Sequence, residues 1–293
     1  MEIKKMTRVK LIIKIIAIYF ARLNFNINSA GFKKIYKNGL VYFFNDTLST
    51  EISIFGMYEK EQLHKIMEVI GDKKNRCCID VGANIGNHSI FFSKFFKKIF
   101  CFEAHPKIFK VLKLNTCNLS NIKIYNIGLS SKKKELYFPD IQTQNMAGHS
   151  LKNTGDIKVK INKLDNIINL KNKIDFVKID TEGHEYQVLM GMKVLLKANN
   201  PIIMLEFDAR QFKKNHKIIK LLRNLNYEHF YFFDQDFSYY NYRMRNLIFL
   251  LVKILFFGVK KNNIHLKKIT DFAKQKNYFS DTFVCAKYDI LNN

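Results

Sequence analysis

The chain has 293 residues, 47% of them apolar, and a formal charge of +24; this suits one large domain or a domain with an extension, and excludes intrinsic disorder. The charge would suit an acidic partner, but lysine outnumbers arginine 42 to 7, and phosphate-reading surfaces favour the bidentate guanidinium, so nucleic acid is not the favoured partner. Five cysteines with no C-x-x-C pair argue against zinc and dithiol redox motifs; Cys77, Cys78 and Cys101 sit in apolar runs and read as core residues of a protein in a reducing cytosol.

Residues 1–72 read as an N-terminal extension of helix and strand. It opens with an apolar stretch, Val9 to Ala21, interrupted by Lys10 and Lys14, and continues with a strand from Leu40 to Asn45. A helix follows over about 58–70, with Leu63, Ile66, Met67 and Ile70 on one apolar face. A second apolar stretch, Leu247 to Lys261, carries Lys253. Both stretches fall short of the ~20 residues that span a bilayer. Packing on the domain itself or on a second copy in a homo-oligomer is the favoured reading; peripheral contact with the inner face of a membrane is the alternative.

Residues 73–290 read as one α/β domain. Strand "CCIDV" precedes helix "NHSIFFSKFF", and strand "KIFCFEA" precedes a helix opened by Pro106. Strand "IKIYNIGLS", a hairpin-like "KKKELYFPD" and a polar loop at 141–150 come next, then "IKVKINKLDNII" and strand "IDFVKID". A helix over "EYQVLMGMKVLLKA", strand "PIIMLEFD", helix "QFKKNHKIIKLLRNL", strand "EHFYFFD" and strand "DTFVCAKY" complete the series. Alternating strands and helices with continuously apolar strands predict a Rossmann-like, mostly parallel sheet with helices on both faces. An apolar helical insertion is expected at about 238–277.

In such sheets ligands sit beyond the carboxyl ends of the strands. Asp80 ends the first strand and is followed by Gly82, Asn84 and Gly86; Glu103 ends the second strand, 23 positions later. Glycines allow close backbone approach and leave amides free at the helix start, and an acid at the position of Glu103 can accept hydrogen bonds from both ribose hydroxyls. The order G-A-N-I-G-N lacks the third glycine of a dinucleotide fingerprint, and Asp80 would repel a pyrophosphate. A cofactor with a ribose, an ammonium and no phosphate fits better: S-adenosylmethionine. Asp80 is then expected to grip its ammonium.

The stretches "IDVGANIGNHS", "CFEAHP", "IGLS", "KLDNI", "DFVKIDTEGHEYQVLMGM" and "PIIMLEF" together resemble the FkbM-type branch of the class I S-adenosylmethionine-dependent methyltransferases, over about 58–208. The resemblance implies a Rossmann-like fold and methylation of hydroxyl groups of sugars or other small metabolites. It assigns Asp80, Gly82, Asn84, Gly86, Asn87, Glu103 and Ala104 to the cofactor.

Phe176, Lys178 and Asp180 share one face of a strand, and a lysine in a buried strand needs a partner. With the strand order of this class, Asp80, Lys178, Asp180 and Glu206 gather at one sheet edge with Glu182 just beyond. Asp180 is the first candidate for orienting or deprotonating a sugar hydroxyl, and His184 and His149 are alternatives. Lys178 and Glu206 serve catalysis or form a structural ion pair. A divalent cation among the acids is conceivable, and no metal ligand is assigned. Gln144, Asn145 and His149 on the polar loop are candidates for substrate contact.

The resemblance implies an O-methyltransferase for a sugar hydroxyl of a nucleotide-linked or bacterial cell-surface glycan, a capsule or lipooligosaccharide. Two alternatives are an RNA or DNA methyltransferase and a non-catalytic membrane-surface protein that retains the fold. The fourth strand ends in D-T-E-G, unlike the N/D-P-P-Y/F of amino-methylating nucleic-acid enzymes.

Overall fold

Alternating apolar runs and amphipathic segments build a doubly covered sheet. A computed structural model describes residues 56–71, 73–139, 151–168, 173–206, 212–235, 264–270 and 282–291, with isolated positions at 16, 40, 48 and 52. The apolar stretch at 247–261, the polar loop at 141–150 and nearly all of 1–55 lie outside these residues. In chain order the elements are α1 (Lys60–Ile70), β1 (Lys73–Val81), α2 (Asn87–Phe92), β2 (Phe96–Phe102), α3 (Pro106–Thr116), β3 (Ile122–Tyr125), β4 (Gly128–Leu129), β5 (Lys134–Phe138) and β6 (Ile157–Asn162). Then follow β7 (Ile174–Ile179), α4 (Glu185–Met190), α5 (Lys193–Asn199), β8 (Ile202–Glu206), α6 (Phe212–Arg223), β9 (His229–Gln235), β10 (Ile264–Lys268) and β11 (Thr282–Ala286).

The main sheet has eight strands in the order β10-β9-β11-β8-β7-β1-β2-β3. The run β3-β2-β1-β7-β8 is parallel, and β11 is wedged antiparallel between β8 and β9. Side chains alternate between two cores. Ile79, Phe102, Val177, Ile179 and Leu205 pack with α4, α5 and α6 on one face. Cys78, Ile99, Cys101, Phe176 and Met204 pack with α1, α2 and α3 on the other. Leu63, Ile66, Met67 and Ile70 are buried there, as the 3.6-residue period predicts. Helix α1 thus belongs to the core of the sheet, although the sequence places it in an extension. Among the described residues, no helix is long and apolar enough to cross a membrane.

Three elements differ from the sequence reading. "IKIYNIGLS" divides: β3 stays in the main sheet, and β4 joins a small sheet of order β4-β6-β5. The expected hairpin-like segment is β5, paired antiparallel with β6. "EYQVLMGMKVLLKA" is two helices, because the chain after β4 docks at the joint; a Cβ on Gly191 would lie 2.0 Å from the Ser130 carbonyl oxygen. Within the expected helical insertion, residues 264–268 form β10, an edge strand antiparallel to β9. Its Leu266 shares a core with α1. The rest of that stretch, apart from 269 and 270, lies outside the described residues.

Candidate active site

Register assembles the site. Val81 is paired with Phe102 and Ile179, and Ile179 with Leu205. The next residues, Gly82, Glu103, Asp180 and Glu206, therefore form one row along the carboxyl edge of the sheet. One row inward, Asp80 sits beside Cys101 and Lys178, and Lys178 beside Met204. Both rows face α1, α2 and α3. This is the gathering of Asp80, Lys178, Asp180 and Glu206 that the strand order predicts.

Asp80 is 0% exposed. Its Oδ2 accepts a 2.5 Å hydrogen bond from Ser89 Oγ, and its Oδ1 lies 3.6 Å from Lys178 Nζ with no hydrogen-bond partner among the described residues. Asp80 thus sits one row inside the edge, tied to Ser89 and Lys178. Its bond to Ser89 anchors α2 to the end of β1.

Lys178 Nζ bonds Asp180 Oδ2 at 3.0 Å and the Gly82 carbonyl at 3.4 Å. Burial opposes its charge, but Asp180 and Asp80 more than reverse this, and its pKa rises. Asp180 keeps 36% of its side chain exposed. Burial works to raise its pKa, but Lys178 and a hydrogen bond from Glu206 outweigh it, and it falls below the usual carboxylate value. Glu206 moves the other way: burial, then the Asp180 charge, pushes its pKa far up. One proton is shared, held on Glu206 and directed at Asp180. Asp180, Glu206 and Glu182 each place one carboxylate oxygen within 4.8 Å of the others.

Gly82 is indispensable to this edge. Its φ is 72°, and a Cβ would lie 1.8 Å from the Asp180 carbonyl oxygen. The amides of Gly82 and Ala83 bond the Phe102 carbonyl at 2.9 and 3.0 Å. Those of Asn84, Ile85 and Gly86 bond Glu103 Oε2, Asn84 Oδ1 and the Ala83 carbonyl. The amides of 82–86 are thus used within the turn that leads to the helix start at Asn87.

Glu103 takes N–H bonds from Asn84 at 3.0 Å and His105 at 2.7 Å. Burial pushes its pKa up to about 7 against the pull of those two amides. Each oxygen retains a lone pair, so the carboxylate still fits a ribose diol. Ala104 lies beside Gly128, its Cβ 3.2 Å from where a Cβ of Gly128 would be, at the join with the small sheet. Asn87 clasps the segment before α1: its Oδ1 accepts from the Tyr58 amide at 3.2 Å and its Nδ2 donates to the Tyr58 carbonyl at 3.1 Å. Both ends of the amide are spent on one peptide segment.

That clasp brings in two residues the sequence reading missed. Glu59 Oε2 lies 3.3 Å from Nε2 of the buried His88, and the Tyr58 ring stacks over His88 with centroids 6.1 Å apart. A histidine within the apolar run "NHSIFF" was the one visible signal. His184 bonds Ser130 Oγ through Nε2 at 3.0 Å; burial, then Lys134, lowers its pKa to about 4, and it is a neutral latch to the small sheet. His149, with Gln144 and Asn145, lies outside the described residues.

A parallel run β3-β2-β1-β7-β8 continued by reversed β11 and then β9, with a glycine turn after β1 and an acid ending β2, is the class I methyltransferase architecture. The methyltransferase FkbM domain matches residues 80–229, and the chain belongs to that family. The hexuronic acid methyltransferase AglP of Haloferax volcanii is 31% identical over 128 residues, which cover 43% of this chain and 53% of AglP; the chain thus spans about half the length of this relative. Among solved structures, methyltransferase FkbM from Methylobacillus flagellatus KT is similar with 15% identity and a TM-score of 0.42, over 59% of this chain and 46% of that one. Precorrin-6y C5,15-methyltransferase from Geobacter metallireducens GS-15 is similar with 12% identity and a TM-score of 0.42, over 78% and 92%.

Proposed function

We propose that the protein is an S-adenosylmethionine-dependent O-methyltransferase acting on a sugar hydroxyl of a nucleotide-linked or cell-surface glycan. The observation that carries this reading is the single edge row of Gly82, Glu103, Asp180 and Glu206. It sets an acid suited to a ribose beside a charged cluster suited to a hydroxyl. Family membership and the hexuronic acid specificity named for AglP support the methyl and the sugar.

The residues fit the donor: the glycine turn admits close approach, and Glu103 has acceptor capacity left for the ribose. S-adenosylmethionine supplies, when bound, an electrophilic methyl carbon. The remaining work belongs to the chain. Asp180 accepts the acceptor sugar's O–H and orients the oxygen, and positioning of this kind supplies much of the rate. Its lowered pKa makes it a weak base for an early proton transfer. The hydroxyl becomes strongly acidic as its oxygen gains the methyl group, so a weak carboxylate base suffices late in the reaction. Lys178 and protonated Glu206 hold Asp180 in place for that step.

The test is calorimetry with S-adenosylmethionine, followed by transfer of labelled methyl to UDP-glucuronate, UDP-galacturonate, UDP-glucose and their oligosaccharides. Uptake of the donor and label in a sugar ether are expected. Absence of donor uptake by the full chain would overturn the reading.

A further inference from the structure

We propose that the outer face of the small sheet is a docking platform for an acidic glycan chain, centred on Tyr137 between Lys152 and Lys158. The inference rests on the sugar methyltransferase reading and adds the charge class of the acceptor and the surface that holds it.

The platform follows from strand alternation. Leu136, Phe138, Val159 and Ile161 are buried in a core of their own, so Glu135, Tyr137, Lys158 and Lys160 point the other way. Tyr137 is directly opposite Lys158 on β6 and directly opposite Lys152 on its other side. Reciprocal backbone bonds of 2.9 Å between Tyr137 and Lys152 fix that pairing. Residues opposite one another in antiparallel pairs carry side chains on one face, with Cβ atoms about 5 Å apart. One half-buried aromatic ring therefore stands in a row with a lysine on either side.

The chemistry of that row is specific. A phenol ring offers an apolar face to the C–H groups of a pyranose, and the ammonium groups of Lys152 and Lys160 near it suit carboxylates on successive sugars. Glu135 is the acid on this face and is neutralised by Lys158 at 2.6 Å. Lys152 and Lys160 are exposed, and neither has a carboxylate within ion-pair distance among the described residues. A merely solvating face would need the charges but not a ring held in register between them.

The small sheet is joined to the carboxyl edge of the main sheet at two points. Ser130, just after β4, bonds His184 at 3.0 Å and docks on the joint between α4 and α5. Phe138, the end of β5, packs on His105 with ring centroids 5.3 Å apart, two residues beyond Glu103. The small sheet is thereby fastened to the same carboxyl edge as the row of Gly82, Glu103, Asp180 and Glu206.

The test uses the full chain with hexagalacturonate, with maltohexaose as the neutral probe and a six-nucleotide RNA as a second polyanion. Binding is read by calorimetry at two salt concentrations, with S-adenosylmethionine binding and Tm as controls. Hexagalacturonate should bind in preference to both other probes. The Lys152→Gln/Lys160→Gln variant should weaken it at least tenfold, and Tyr137→Ala should weaken it severalfold with an unchanged salt slope. Donor affinity and Tm should be retained in both variants. Equal binding of maltohexaose, tighter binding of the RNA, or unaltered hexagalacturonate affinity in the variants would each overturn the platform. Those outcomes leave donor binding intact, and so are distinct from failure of the methyltransferase reading, which shows as no donor uptake by the wild type.

Discussion

Lys178 bonds Asp180 at 3.0 Å while its other side faces Asp80 at 3.6 Å, so one buried ammonium balances two carboxylates. Removing it leaves both acids uncompensated, and breaking a buried pair in this way costs about 3–5 kcal/mol. Lys178→Met should lose stability on that scale in urea unfolding. Combining it with Asp80→Asn should restore part of the loss, since the inner acid no longer needs a counter-charge.

Gly82→Ala tests the closeness of two strand ends. A Cβ there meets main-chain atoms of Asp180 at 1.8 and 2.9 Å, which cannot swing aside as a side chain would, and the positive φ adds strain. The variant should lose about 2 kcal/mol or more in Tm-based stability. Its donor affinity should fall beyond what residual unfolding explains, as calorimetry on the folded fraction would show.

Glu103 makes donor binding depend on pH. Its folded pKa of about 7 lies above the unfolded value of 4.5, and ribose hydroxyls donate to the ionised form. Donor affinity should therefore fall about tenfold between pH 7 and pH 5.8, and Glu103→Gln should flatten that slope. The stability sign is opposite to that of an ordinary ion-paired acid. Between about pH 4.5 and 7 the folded state holds the extra proton, so the Glu103 contribution falls as pH rises, by on the order of 3 kcal/mol across the window. Urea midpoints of the wild type and Glu103→Gln at pH 5 and pH 8 check this.

Asp180 and Glu206 separate by role. Asp180→Asn should lower kcat by about 10²-fold while donor Kd changes little, because positioning and proton acceptance are lost together. Glu206→Gln should stay within about threefold of the wild type, since an amide N–H can replace the donated proton. A chelator should leave turnover unchanged. A large loss in Glu206→Gln, or rescue of a chelated sample by magnesium, would show the acids acting together as ionised ligands.

The sheet edge was readable in the sequence because strand ends are punctuated: Asp80, Glu103, Asp180 and Glu206 each close an apolar run, and parallel register does the rest. The direction each side chain faces was harder to read. Asp80 points one row inward, and Asn87, a polar residue at a helix start, was equally compatible with a ligand or with neighbouring backbone. Glu59 and His88 are 29 positions apart in the chain, and no local period encodes their meeting. The break at Gly191 has the same origin. Helical periodicity runs through it, and only the arrival of Ser130 from a different element interrupts the helix.

The amide of Asn87 closes a ring with the N–H and C=O of one residue 29 positions earlier. It acts as a ladder rung made by a side chain, riveting the lead-in to α1 onto the first turn of α2. Melting of α1 must therefore pull on the first turn of α2, and the two should unzip in a single cooperative event.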